Sequence, residues 1–491
     1  MGYCRKQVEV LLLNPFFKLK LMIAILVILQ YVVHFDTNDY WWHIRMGEWI
    51  VQHEGIPFYA IGNWYANLAD IPWFAHEWLS EVILYGLTTF FGVQLLRGFF
   101  CCLTIGLLFF LVNYNQKIIE SHYVFSTVYL MIGAMVLPSF IYGRPQTFLY
   151  ILLLLFIDAL YGCYHGNMKK IYFMPLLSIL WVNLHGGSAN LIYILPGLIF
   201  LGQFFPLEKF GLQKRFSKVR MEPKKICILF IATVVSTFVQ ILNPHLLDIF
   251  SYPYINVSDS DLLKFIIEWM PASLANPAHI VLVFLPLFFC LGVFILTMKK
   301  IDFVDFLLFG SFFLLSLRSI RFSAMFFIVS CFYIYKYLPE SKYLNEKITV
   351  KRQGCFVLFC ICLLGMGSWG LTQKGMSGYI VPEISKQMEN EISSAAPQRL
   401  YNDYDLGAEL IYFRVPVFID GRADAYVKYQ LADALALSNL ERNPEKIIEK
   451  YDFDYMVIHK NLVLYWYLLN DPARYALVFE DDKIAFFRIN K

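Results

Sequence analysis

The side chains best suited to chemistry gather in one stretch. Residues 35 to 78 form a long polar segment that opens Phe35-Asp36-Thr37-Asn38-Asp39-Tyr40-Trp41-Trp42-His43 and closes Pro72-Trp73-Phe74-Ala75-His76-Glu77-Trp78. Acids and a histidine stand at one end, and a histidine and an acid at the other. Carboxylates beside imidazoles can move protons or hold a divalent cation (magnesium, manganese or zinc), and Asp39, Glu77, His76 and His185 are the candidate ligands. Further along come Arg144 in Tyr142-Gly143-Arg144-Pro145, and Arg318 and Arg321 in Leu317-Arg318-Ser319-Ile320-Arg321-Phe322. Their guanidinium forks can grip a phosphate. His185 lies in Asn183-Leu184-His185-Gly186-Gly187 and Glu268 in Ile267-Glu268-Trp269. A site holding both chemistries suits a phosphate-containing lipid.

The elements that must position these residues are membrane spans. A chain of 491 residues that is 58% hydrophobic and 16% charged is excluded from the ordinary soluble class and reads as a polytopic α-helical membrane protein. A net charge of +3 gives no argument for nucleic acid, and no zinc-finger spacing, Walker loop or dinucleotide fingerprint occurs. Partners are expected to be lipidic or membrane-bound. About eleven apolar segments read as spans: 16–34, 93–113, 122–140, 147–163, 171–184, 188–205, 226–242, 278–298, 303–318, 323–338 and 354–372. Arg5, Lys6, Lys18 and Lys20 ahead of the first, with no small-residue cleavage site, mark it as a retained anchor. The ten cysteines lie in or beside apolar segments, so no disulfide framework is expected in the tail beyond residue 372.

Charge orients the spans. The loops carrying Lys169 and Lys170, Lys209 through Lys225, Lys299 and Lys300, and Lys342 through Arg352 should be cytoplasmic. Alternation then holds only if the apolar helix at 79–91, ending at Phe91-Gly92, does not cross fully. The N-terminus falls in the cytoplasm, and the 35–78 loop, Arg144, His185, the 243–277 loop, Arg318 and Arg321 all fall outside. Ionisable residues converging at one membrane face are a functional site by default, because each is costly there.

Each residue also has a plainer role. Residues 41 to 53 place Trp42, Met46, Trp49, Ile50 and His53 at helical spacing, as in a surface helix with its aromatics among headgroups. His53, Trp64 and Trp73 would then be interfacial anchors. Asp36 can cap that helix, and Glu77 can begin the next one. Arg318 and Arg321 can snorkel from span ends. Asp259 and Asp261 resemble a metal-binding acid pair but suit a solvated loop better.

The polar tail reads as a linker, 373–396, and an α/β domain, 397–491. Strands are expected at 400–401, 410–413, 415–419, 455–458, 475–479 and 484–487, and helices at 426–440, 444–450 and 461–469. The turn Ile419-Asp420-Gly421-Arg422-Ala423-Asp424 either binds a ligand or docks the domain on the membrane part.

An N-terminal span followed at once by an acidic outer loop with a further acid at Glu77, then many spans and an outward α/β tail, resembles the GT-C superfamily of polyprenyl-phosphate-dependent glycosyltransferases. The closer likeness is to bacterial multi-span proteins with Asp-x-Asp-x-Trp-Trp-His, His-Glu-Trp, Asn-x-His-Gly-Gly and Asp-Gly-Arg-Ala-Asp in that order. Here those are Asp39 to His43, His76 to Trp78, Asn183 to Gly187 and Asp420 to Asp424, with Thr37 at the place of the first acid and Asp36 one residue earlier. The resemblance implies a plasma-membrane enzyme of the cell envelope (residues 1–372 the GT-C-like domain). Its donor would be a sugar on a lipid phosphate and its acceptor an extracytoplasmic glycan, lipid or protein. Asp39 or Asp36 would match the acid of the first outer loop, and an inverting displacement with Asp39 as base is expected, assisted by Glu77. The substrate-binding candidates are His43, His76, Arg144, His185, Glu268, Arg318 and Arg321. A flippase for a lipid-linked glycan, or a ligase or polymerase of such glycans, would use similar residues.

Overall fold

The computed structural model describes residues 14–33, 39–69, 71–254, 269–296, 300–338 and 382–490. Asp36, Glu268, Asp259, Asp261, the 354–372 segment and residues 373–381 of the expected linker lie outside these. Helices stand at the ten other expected spans: α1 (Pro15–Val33), α4 (Trp78–Tyr114), α5 (Tyr123–Val136), α6 (Gln146–Tyr164), α7 (Met174–Leu184), α8 (Leu191–Phe204), α9 (Pro223–Phe238), α10 (Leu285–Leu296), α11 (Phe303–Arg318) and α12 (Ser323–Tyr337). Six helical segments among the described residues are long and apolar enough to cross a membrane. Those that start near Tyr123 and Ile171 are apolar but shorter.

Between α1 and α4 lie α2 (Tyr40–His53) and α3 (Trp64–Leu68). The helix α4 is interrupted at Gly92, whose φ of 75° and ψ of 160° suit a residue without a Cβ. The portion after Gly92 is ~33 Å long at 1.5 Å per residue, enough to cross the hydrocarbon core. The portion before it is a separate arm packed along α2. Gly47 makes that approach close, since a Cβ there would sit 2.6 Å from the carbonyl carbon of Glu81 and 2.8 Å from Cβ of Tyr85. Tyr40, Trp41, Trp42, His43, Ile44, Met46 and Ile50 are all buried. Tyr40, Trp41 and Trp42 of α2 therefore face protein rather than headgroups, with Trp41 against Tyr412 at 4.8 Å and Trp42 edge-on to Trp73 at 6.1 Å, while Trp49 is half-buried. Trp64 and Trp73 are likewise buried, whereas His53 is exposed and stacks on Trp49.

At the start of α11 the short parallel pair β1 (Phe216–Ser217) and β2 (Ile301–Asp302) joins two of the basic loops. Asp302 caps α11 there, accepting from Val304 N at 2.9 Å. Sixteen residues later α11 ends at Arg318, ~24 Å away. The two ends of the bundle are thus chemically distinct.

The tail begins with α13 (Lys386–Ala395), capped by Ser385 and burying Met388 and Ile392. A four-stranded sheet follows in the order β3 (Leu400–Asn402), β4 (Tyr455–His459), β6 (Ile484–Ile489), β5 (Tyr475–Glu480), with β3 and β4 parallel and the other pairs antiparallel. The remaining helices are α14 (Gly407–Tyr412), α15 (Ala423–Tyr426), α16 (Leu431–Ser438), α17 (Pro444–Tyr451) and α18 (Val463–Leu469). Two expected strands are not strands. Leu410 to Phe413 belong mostly to α14, because a four-residue apolar run has no periodicity to separate strand from buried helix. Residues 415–419 make a single bridge, Val417 to Asn63, and so tie the tail to the outer loop.

Candidate functional site

The tail closes over the 35–78 loop through main-chain and side-chain bonds. Val417 N donates to Gly62 O at 2.9 Å, Trp64 N donates to Val417 O at 3.0 Å, and Trp64 Nε1 donates to Leu400 O at 2.9 Å. Asn63 caps α3 by accepting from Ala66 N at 2.6 Å and donates through Nδ2 to Phe418 O at 2.5 Å. Arg422 is fully buried between the two parts. Its Nε and Nη2 each bond Asp420 at 2.8 Å, Nη2 also bonds Ile61 O at 2.7 Å, and the guanidinium lies 5.0 Å from the Trp73 ring. Tyr426 adds a hydroxyl to Asp420 at 2.5 Å. The Asp420 to Asp424 turn thus docks the tail, and it also reaches Asp39 and Trp42.

Asp39 occupies the N-cap position of α2 but makes no side-chain cap bond. Its carboxylate instead meets Arg144 Nη2 at 2.8 Å and Trp42 Nε1 at 3.3 Å, and it presses on Gly421. Glu77 likewise stands at the N-cap of α4 without capping it. Its Oε1 lies 3.2 Å from His76 Nε2 and 3.3 Å from His185 Nε2. Glu77 therefore stands at the helix start as foreseen, but without a cap hydrogen bond from its carboxylate. His43, on α2, stacks on Trp42 at 3.6 Å and points Nδ1 at Glu81, 3.5 Å away. Gly186 lets the α7–α8 connection close on this group: a Cβ there would come 2.7 Å from Ile249 Cδ1 and 3.1 Å from His76 O. His76 O in turn accepts from Gly186 N at 3.0 Å.

The expected residues Asp39, His43, His76, Glu77, Arg144 and His185 thus meet around one centre. Arg321 sits 5.1 Å above Trp269, and its charge reaches His185. Arg318 is exposed in the last turn of α11, as a snorkelling residue would be, and no contact ties it to the group among the described residues. Sequence reasoning missed Glu81 and Tyr252. Glu81 is fully buried beside His43, with neither oxygen hydrogen-bonded. Its position four residues after Glu77, inside an apolar helix, was the available signal. Tyr252 stacks on Phe74, lies 4.4 Å from His76 and donates to Asp424 Oδ2 at 2.8 Å.

Burial and charge split the titrating groups. Burial, helped by Arg144, His76 and Arg422, pushes His43 down to about 3 against the pull of Glu77. Burial also takes His185 to about 3, with Arg321 and His76 adding. Burial opposes charge on His76 too, but Glu77 and Asp424 beside it leave its pKa raised. Burial would raise Glu77, yet His76, His185 and His43 together hold it well below the usual range. Asp424 is raised, by burial first and by Glu77 second, despite His76 and Tyr252.

As a cation site the group fits poorly. The two imidazole nitrogens near Glu77 point at the carboxylate at hydrogen-bond distance, and no set of three or more His, Cys, Asp or Glu among the described residues is arranged to hold a metal ion.

No family model matches the sequence, and no curated protein is similar to it. Among solved structures, the fold is similar to the archaeal oligosaccharyltransferase AglB from Archaeoglobus fulgidus in complex with an inhibitory peptide and a dolichol-phosphate. The TM-score is 0.55 at 13% identity, over 90% of this chain and 69% of that one. Identity that low speaks for fold alone: the chain is a multi-span membrane protein whose fold is similar to that of this oligosaccharyltransferase.

Proposed function

We propose that the protein transfers a sugar from a lipid-phosphate-linked donor to an acceptor outside the cytoplasm, with its N-terminus inside and its tail outside. The observation that carries this is the Asp39–Arg144 pair, set beside the Glu77 histidine group beneath the tail. One side of the centre offers a cation to a phosphate and the other offers carboxylates to a nucleophile. The solved neighbour holds a dolichol-phosphate and a peptide, which supports a lipid-linked donor and a separate acceptor.

Arg144 is the group for the leaving phosphate, whose growing charge needs a donor fixed in a water-poor place. Asp39 aims that guanidinium by binding Nη2, and Tyr142, 5.0 Å from Cζ, supports it from the ring face. The expectation that Asp39 takes the acceptor's proton requires this pair to open first. Glu77 holds the His76 and His185 imidazoles in place.

The test uses proteoliposomes and a mixture of radiolabelled polyprenyl-phosphate mannose, glucose and galactose. Wild type should release label from the lipid, while Asp39→Asn and Arg144→Ala should lose roughly 100-fold or more. No release with any donor, alongside protein-dependent movement of the lipid between leaflets, would replace the transferase by a flippase.

A further inference from the structure

The acids around the centre are not equally available. Asp39 is bound by Arg144 and Trp42 Nε1, and Glu77 is bracketed by His76 and His185. Asp420 is enclosed with Arg422, and Glu81 is sealed between α2 and α4, out of reach of any substrate. Asp424 differs from all four. Half-buried like Asp39, it stands three residues from the Gly421 that touches Asp39, but its Oδ2 is held by an uncharged hydroxyl, Tyr252, and no salt bridge engages it among the described residues. The tail brings this carboxylate to the rim of a centre built by the membrane part.

We propose that Asp424 is the proton acceptor of the reaction, a catalytic residue supplied to the membrane centre by the C-terminal domain. The assignment rests on the transferase reading. The acceptor's O–H bond breaks and its proton passes to the Asp424 carboxylate. The freed electron pair forms the bond to the sugar's anomeric carbon. The bond from that carbon to the phosphate oxygen breaks, and its electrons leave on the phosphate, facing Arg144. Asp39 can then stay on Arg144 throughout. A carboxylate that burial makes more basic than usual suits this role better than one held by a guanidinium. The groups whose charges face it are His76 and Glu77 from the outer loop, Glu81 from α4 and Tyr252 from the stretch after α9.

The full chain in proteoliposomes, with the same donor mixture, decides this from the pH profile of label release. Asp424→Asn should lose about 100-fold or more at every pH. Asp424→Glu should keep part of the rate with the acidic limb displaced. Tyr252→Phe, which retains every carboxylate but removes a bond to the ionised form, should move the acidic limb to higher pH. If Asp424→Asn keeps the wild-type rate and profile while Asp39→Asn is inactive, the base is Asp39 and the proposal falls, with the transferase reading intact. Should Asp424→Asn melt below wild type, Tyr252→Phe carries the test alone, and an unmoved acidic limb overturns the proposal. If wild type releases no label from any donor, both readings fall together.

Discussion

At Gly421 the tail comes close against Asp39 and Trp42, and one methyl group tests whether that contact matters. A Cβ on Gly421 would stand 2.6 Å from Nε1 and 3.1 Å from Cδ1 of Trp42, and nearer still to Oδ1 of Asp39. Non-bonded heavy atoms prefer ~3.5 Å or more, so either Asp39 with Trp42 or the tail turn must move by about 1 Å. Gly421 is not among the residues with positive φ, so alanine meets no backbone penalty and the effect is purely one of contact. Overpacking of this kind costs about 1–3 kcal/mol, offset by about 0.4–1 kcal/mol from the stiffer unfolded chain. The melting temperature of Gly421→Ala should therefore fall only modestly. Activity should fall much further, because displacing a reacting group by about 1 Å costs on the order of 100-fold. Label release in proteoliposomes measures this, with Gly86→Ala as control: a Cβ at Gly86 meets nothing within 4 Å, so its rate should not change. A wild-type rate in Gly421→Ala would refute the claim that the tail turn positions Asp39.

Two further expectations concern stability. Arg422→Ala leaves the Asp420 carboxylate buried and unpaired, which should cost about 3–5 kcal/mol, whereas Arg422→Met with Asp420→Leu should recover most of the loss in melting temperature; equal melting of Arg422→Ala and wild type would refute the docking role. His43 and His185 have folded pKa values near 3, below the ~6.5 of an unfolded histidine, so the unfolded chain binds protons first on acidification. Their stabilisation is complete above pH ~6.5 and is lost as pH falls toward about 3, amounting to about 2 kcal/mol for each at pH ~5. His76, with its raised pKa, acts oppositely but only above ~6.5. Melting temperature should drop between pH 7.5 and 5 for wild type and less steeply for His43→Gln, and identical slopes would count against neutral burial of His43.

How much of this was legible follows from what each residue answers to. Hydropathy is a property of the segment, so ten spans have helices where the sequence put them, and Gly92 breaks α4 at the end foreseen for the 79–91 arm. Sidedness gathered Asp39, His43, His76, Glu77, Arg144 and His185 without any contact being known. Burial of α2 was not legible, because the same Trp42, Met46 and Ile50 spacing serves a lipid surface or a protein groove. The partner that decides, α14 with Tyr412, lies more than three hundred residues away and was itself read as a strand. Asp420 to Asp424 was legible as a turn with two uses, docking or binding. Docking is the use that the contacts show, through Arg422, while the adjacent Gly421 reaches Asp39.

The two aspartate–arginine pairs show why proximity alone does not define the reacting groups. Asp420 and Arg422 have side chains that are 0% exposed, whereas Arg144 and Asp39 retain 13% and 23%. Separating a sealed pair leaves an uncompensated buried charge, and no ligand can arrive to replace the lost partner. A pair that keeps some exposure leaves its guanidinium within reach of a second anion, so an incoming phosphate can join Asp39 on Arg144. On the transferase reading, the membrane centre can therefore respond to a lipid phosphate at Arg144 while Arg422 keeps the tail, and with it Asp424, in place.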